Sequence, residues 1–290
     1  MIMKSKVLFT NDISPNGLIR IFEALNIKLH PNVAVKISTG EPGGHNYLKP
    51  ELIGPLTSKL NGTIVECNTA YSGKRNTLEA HLHAIRDHGF TEIAPCDILD
   101  SEGEISIPVH RGKHLSENFV GAHITDYSSM LMLSHFKGHA MGGFGGALKN
   151  MSIGVASSHG KAHIHGAGKP EDIWTADHDS FLESMAEACS AVMDYFGRKN
   201  IVYINVANNL SVDCDCDSNP HAPEMADIGI FASLDPVALD QACVDAVYAS
   251  KDPGKTALIE RIESRNGMHT VETAEKLMLG SREYEIVSID

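Results

Sequence analysis

Short apolar segments that alternate with helical ones constrain this chain most. "NVAVKIST" (32–39) alternates and is rich in β-branched residues, as a strand is. A glycine turn follows, and Pro50 at a first helical position predicts a helix to about Leu60. "GTIVECN" (62–68) reads as the next strand. In "RNTLEAHLHAIRDHGF", Leu78, Leu82 and Ile85 share one helical face, and Gly89 stands where a C-cap belongs. "TEIAPCDILD" reads as a strand broken at Pro95. Strand–helix–strand alternation implies an α/β domain, a mixed sheet with crossover helices on both faces.

The second half keeps the pattern. "SSMLMLSHFKGH" (128–139) has the unbroken apolar run of a central strand, and "GGFGGALKNMSIGVA" is glycine turning into helix. Residues 177–197 form a helix with Phe181, Met185, Ala188 and Val192 on its apolar face. "NIVYINVANN" and "ADIGIFAS" read as strands. Asp235 and Pro236 give a strong helix start, and that helix is apolar nearly all round, hence buried. Two more helices and the strand "YEIVSI" complete the chain. With no internal repeat or linker, residues 1–290 are expected to form one domain.

Composition narrows the function classes. Lys and Arg number 24 against 37 Asp and Glu, a net charge of −13, which disfavours nucleic-acid binding. No apolar run reaches the roughly 18–20 residues of a membrane span. The first residues do not make a secretory signal, so the expectation is a cytoplasmic protein. Six cysteines are too few for a disulfide scaffold at this length, and five of the sixteen histidines cluster at 134–139 and 157–166. Oligomeric state is not legible.

"NNLSVDCDCDSNPH" (208–221) puts two thiols one residue apart among three aspartates. Like charges raise a thiol's pKa, whereas a bound cation deprotonates it outright. Cys214 and Cys216 therefore make sense as ligands of a metal or an iron–sulfur cluster; the bland alternative is a solvated acidic turn. Cys189 and Cys243 lie on apolar helix faces and read as packing thiols. Cys67 and Cys96, near expected strand C-termini, are the candidate further ligands.

"SHFKGHAMGGFGGALKN" offers Gly142, Gly143, Gly145 and Gly146 before a helix, with Lys149 and Asn150 just beyond. Such a loop can turn its amides toward a small anionic ligand. His135 and His139 could bind metal or move protons, and they are the catalytic candidates together with Lys149. The structural alternative is a flexible turn packed on the sheet. In "SSHGKAHIHG", His163 and His165 would face one side if the segment were extended. Asp240 and Gln241, polar groups on the apolar helix, need partners that can be wholly structural.

"KISTGEPGGHNYLKPELI", "LSHFKGHAMGGFGGALKN", "YINVANNL" and "DCDCDSNPHAPEMADIGIFASLDPVALDQA" together resemble the DUF362 family, a domain of unknown function, over about residues 30–250. The family is commonly described as iron–sulfur related, and its members often add a ferredoxin-type segment. This chain has no ferredoxin repeat, which argues against a simple electron carrier. The resemblance implies no established reaction. It favours Cys214 and Cys216 as ligands of iron or a cluster. The function expected is a redox-associated protein with a cluster or single transition metal and an anionic ligand. The rivals are a non-redox metal-dependent isomerase or hydrolase, with His135 or His139 as base, and a non-catalytic metal-binding module.

Overall fold

The apolar run at 129–135 becomes a sheet strand buried along its whole length. A computed structural model describes residues 4–290. In chain order the elements begin β1 (Ser5–Thr10), α1 (Pro15–Ala24), β2 (Val33–Lys36), α2 (Pro50–Lys59), β3 (Thr63–Glu66), α3 (Leu78–Asp87) and β4 (Cys96–Ile98). They continue β5 (Glu104–Pro108), β6 (Glu117–Gly121), β7 (Ser129–His135), β8 (Lys137–His139), β9 (Gly143–Gly145), α4 (Ala147–Ser152), α5 (Ser158–His165) and α6 (His178–Phe196). The last are β10 (Ile201–Ala207), β11 (Gly229–Ser233), α7 (Pro236–Ala249), α8 (Lys255–Ser264), α9 (Met268–Lys276) and β12 (Tyr284–Ser288).

The main sheet has the order β12-β1-β11-β10-β7-β2-β3-β4. Only β11 pairs antiparallel to its neighbours, so the sheet is mixed but mostly parallel. Alternation of side chains explains the continuous apolar runs. In β7, Met130 and Met132 join one core, while Leu131 and Leu133 join the other. In β10, Ile201 and Tyr203 face the first core, and Val202, Ile204 and Val206 the second. Helices α4–α9 contribute to the first core and α1–α3 to the second. Helices thus cover both faces, as expected from the alternation.

Several local expectations need correction. The residues before Pro95 form a 3-10 turn at Phe90–Glu92, and β4 starts only at Cys96. Because β4 runs parallel to β3, Cys96 lies at the N-terminal edge of the sheet, not the C-terminal one. The segment holding His163 and His165 is helix α5 rather than extended, started by the Ser157 cap, so the two rings do not share a side. The glycines at 143–145 do not form an open loop. They pair as β9 against β8, with Lys137 opposite Gly145 and His139 opposite Gly143. Among the described residues, no helix is long and apolar enough to cross a membrane.

Strand order positions the site. From β2 the chain moves outward to β3 and β4, then returns as β7 on the other side of β2, with β10 beyond. A crevice forms where the order reverses, outside the carboxyl ends of the strands. Asn150 spans that point: its amide donates to Lys36 O at 3.0 Å and to Ser134 Oγ at 3.1 Å.

Candidate functional site

A cleft of about 510 Å³ opens over the carboxyl ends of β2, β3 and β7. Its lining includes Lys36, Glu66 and Cys67 from the β2 and β3 ends, and Ser134, His135, Lys137 and His139 from β7 and β8. Cys214 and Cys216 enter from the loop after β10, Lys149 and Asn150 from α4, and Lys161 and His165 from α5. Trp174, the single tryptophan, stands two-thirds exposed at the cleft wall.

The cysteine loop is held from several sides. Arg261 Nη1 donates to Val212 O at 2.7 Å, Ser211 Oγ to His221 O at 2.8 Å, and Glu41 N to Asp215 O at 2.7 Å. Gly138 is the close approach that admits the loop: a Cβ there would lie 2.3 Å from Val212 O. Two of the three aspartates, Asp213 and Asp215, do not face the thiols as free charges. Asp215 is buried, 2.8 Å from both His135 Nδ1 and Lys137 Nζ. Burial would raise its pKa, but the contacts with His135 and Lys137 hold it below the usual value. Asp213 pairs with His221 at 2.5 Å and Arg261 at 3.5 Å.

Neutralising the aspartates changes the electrostatics of Cys214. Its hydrogen bond with Cys216, outweighing burial and helped by Lys149 and His139, holds its pKa well below the ordinary thiol value. Cys216 keeps its proton correspondingly harder. His139, Cys214 and Cys216 each present one donor atom within 4.8 Å of the others. This nitrogen-and-two-sulfur set could hold a metal ion.

The two histidines differ. His135 has both ring nitrogens engaged, Nδ1 with Asp215 and Nε2 with Asn208 O at 2.6 Å, so it braces the loop. His139 Nδ1 accepts from the amides of Met141 (3.2 Å) and Gly142 (2.9 Å). Its proton therefore sits on Nε2, the atom left for the hydrogen bond with Cys214. A metal at that nitrogen must displace the proton, as ligand deprotonation requires.

Three amides of the glycine segment and the helix start are taken by side chains of the protein itself. Gly142 donates to His139, and the amides of Ala147 and Leu148 donate to Asp240 at 2.8 and 2.9 Å. Asp240 is thus an internal anion at the start of α4, pushed up to about 6 by burial, with Asn205 as a further donor. A Cβ on Gly146 would meet its Oδ1 at 2.4 Å. Positive charge in the cleft comes instead from side chains. Lys36 and Arg75 pair with Glu66 (3.2 and 3.4 Å), Arg75 with Glu41 (2.7 Å), and Lys137 with Asp215. Lys149 and Lys161 form no carboxylate pair among the described residues. Lys161 is 8% exposed and donates to Ala156 O at 2.6 Å.

The sequence did not announce the network under the cleft. Glu66 accepts from Thr39 N (2.7 Å) and Thr39 Oγ1 (2.8 Å) as well as pairing with Lys36 and Arg75. Burial would raise its pKa, but Lys36, His81 and Arg75 drive it well below the usual value. A signal was available: Lys36 and Glu66 end two strands that otherwise read as apolar. Among the other cysteines, Cys67 lines the cleft but its thiol donates to Val155 O at 3.2 Å and is pushed up to about 12 by burial. Cys96 is not brought to the cleft. Cys189 and Cys243 are fully buried in the core, as their helical positions imply.

One solved structure that matches is the lactate racemase apoprotein from Thermoanaerobacterium thermosaccharolyticum, at 14% identity and a TM-score of 0.48. The match covers 83% of this chain and 56% of that one. A Thermotoga maritima crystal structure matches at 14% identity and a TM-score of 0.47, over 81% of this chain and 58% of that one. This chain thus spans little more than half the length of either. No curated protein matches the sequence. The sequence pattern of DUF362, a domain of unknown function, matches residues 33–245, and the chain belongs to that family.

Proposed function

We propose that this protein is a metal-dependent enzyme acting on a small anionic substrate. Cys214, Cys216 and His139 hold one transition-metal ion, and Lys149 and Lys161 receive the substrate's charge. The observation that carries the reading is the convergence of these three donors within 4.8 Å on the wall of a cationic cleft. Three protein ligands leave a coordination position for substrate, as in catalytic zinc sites. The bound ion would polarise a substrate oxygen. The chain's own groups do the remainder: lysines bind and orient, and the paired carboxylates keep Lys36, Arg75 and Lys137 fixed in place. Thiolates also suit iron, so an iron or iron–sulfur form is the redox version of this reading. It needs a further ligand, for which Cys67 is the thiol lining the same cleft.

The His139 tautomer favours a second reading. With Nε2–H directed at Cys214, the pair resembles an activated thiolate beside its donor, so Cys214 would act as a nucleophile without metal. One experiment separates the readings. Protein purified without oxygen is analysed for metals and scanned for the broad absorbance, roughly near 400 nm, of thiolate–iron centres. One equivalent of a colourless metal supports the single-ion reading, and iron with colour its redox version. No metal bound, even after loading with zinc, iron or nickel salts, leaves the thiolate reading.

A further inference from the structure

His165 is absent from either account, yet its surroundings define it closely. Its Nδ1 lies 2.7 Å from Lys161 O, and a carbonyl oxygen can only accept, so Nδ1 carries the proton. The ring stacks on Phe181 with centroids 4.7 Å apart and planes at 15°. Both contacts fix the ring's orientation. Nε2 makes no hydrogen bond among the described residues and is not sealed in the core, while the residue lines the cleft. Lys149, His139 and Lys161 are the charged or titratable groups that act on it. Their electrostatic effect and burial both favour the neutral ring.

An imidazole held this way offers one lone pair, so its ligand must bring a proton to it. The neighbouring lysines without carboxylate partners call for negative charge on the same ligand. We infer that His165 Nε2 is the hydrogen-bond acceptor of this cleft, facing the hydroxyl of an anionic ligand. The inference rests on the anionic-substrate part of the reading above but not on the metal. The hydroxyl donates to Nε2, the ring stays neutral, and Nδ1–H remains on Lys161 O. This deepens the substrate class to small hydroxylated carboxylates.

The test uses two probes that differ by one hydroxyl, malonate and hydroxymalonate. Both are titrated calorimetrically into the full chain as purified, and into His165→Phe and His165→Asn. Phenylalanine preserves the stack on Phe181, and asparagine keeps a donor for Lys161 O while being too short to meet the ligand. Thermal melts select whichever variant folds as the wild type does. The expected result is that wild type prefers hydroxymalonate by roughly five- to tenfold, the range of one neutral hydrogen bond. The folded variant should lose that preference while binding malonate within about twofold of wild type. A preference that survives in the variant belongs to a metal or another group and overturns the inference. No preference in wild type, or no binding of either probe, also overturns it. Metal content measured on the same samples keeps the two readings separate: probe selectivity without metal removes the metal reading alone.

Discussion

Asp240 accepts a hydrogen bond from the amide of Ala147 across 2.8 Å, so a carboxylate of the protein itself occupies the start of α4. A second amide, Leu148, and the side chain of Asn205 complete its shell. The pair joins α7 to the glycine hairpin.

That carboxyl makes a pH prediction. Its pKa is pushed up to about 6 in the folded state, against about 4 for an unfolded aspartate. Between those values the folded state holds a proton that the unfolded state has released. Stability from this group is therefore highest below about pH 4 and falls as pH rises toward about 6. Two units correspond to roughly 3 kcal/mol. Asp240→Asn lacks this titration, so the stability of wild type relative to the variant should decline by about that amount from pH 4 to 7. Urea unfolding across that range reads it, and a pH-independent difference would refute the assignment.

Metal content should separate two classes of cysteine. Cys214→Ser, Cys216→Ser and His139→Ala should each lower the bound metal while the melting temperature changes little, apart from the loss of stabilisation by the ion itself. Cys189→Ala and Cys243→Ala, both in the packed core, should keep metal and lose about 1 kcal/mol of stability or more through the small cavity left. Elemental analysis beside thermal denaturation checks both halves.

Lys149→Ala should weaken malonate binding by about 1–3 kcal/mol, the usual value for a hydrogen bond to a charged group. Lys161→Ala should act in the same direction. Affinity of the wild type should fall as salt rises. Fluorescence of Trp174, the only tryptophan and a cleft residue, gives a direct readout. Equal affinity in both lysine variants would leave the cleft's charge without a ligand role.

Glu66→Gln should be costly in a way no surface carboxylate would match. It removes the partner of Lys36 at 3.2 Å and one partner of Arg75, all three nearly sealed from solvent. Breaking a buried pair on one side costs about 3–5 kcal/mol because the remaining charge stays buried. Lys59→Ala, which breaks an exposed pair with Glu23, should change stability by no more than about 1 kcal/mol. Chemical denaturation of the two variants gives the comparison.

Gly138→Ala should disturb the cysteine loop from beneath. Its added methyl would lie 2.3 Å from Val212 O and 2.6 Å from Val212 Cα, both backbone atoms that cannot swing aside. Overpacking of this kind costs about 1–3 kcal/mol. Because Val212 leads directly into Cys214, metal affinity should fall together with stability. Unchanged metal binding would mean that the loop tolerates a shift of its base.

Much of the framework was legible residue by residue. Pro50, Pro236 and the Asp235 cap started helices where expected, and Asp235 Oδ1 bonds the amides of Val237 and Ala238 at 2.9 and 3.0 Å. "MLML" became a strand between two cores because its alternate side chains meet helices on opposite faces. These signals are local, set by backbone dihedrals and side-chain period, and a single sequence carries them. The pairing of Cys214 with Cys216 was also visible, since one intervening residue keeps both in one turn of chain.

What only the tertiary structure decided is which charges meet. The three aspartates of the cysteine loop read as a field acting on the thiols, yet Asp215 meets His135 and Lys137, and Asp213 meets His221 and Arg261. Which carboxylate would meet the start of α4 was not legible either: Asp240, about ninety residues later, takes the amides of Ala147 and Leu148. Cys96 read as a possible ligand until strand direction put it at the far edge of the sheet. Electrostatic and hydrogen-bond partners depend on distance in space, which local propensity does not encode. The sequence by itself therefore determined the elements and the residue types of the site; the folding of β2, β3, β7 and β10 side by side decided which of them face the cleft.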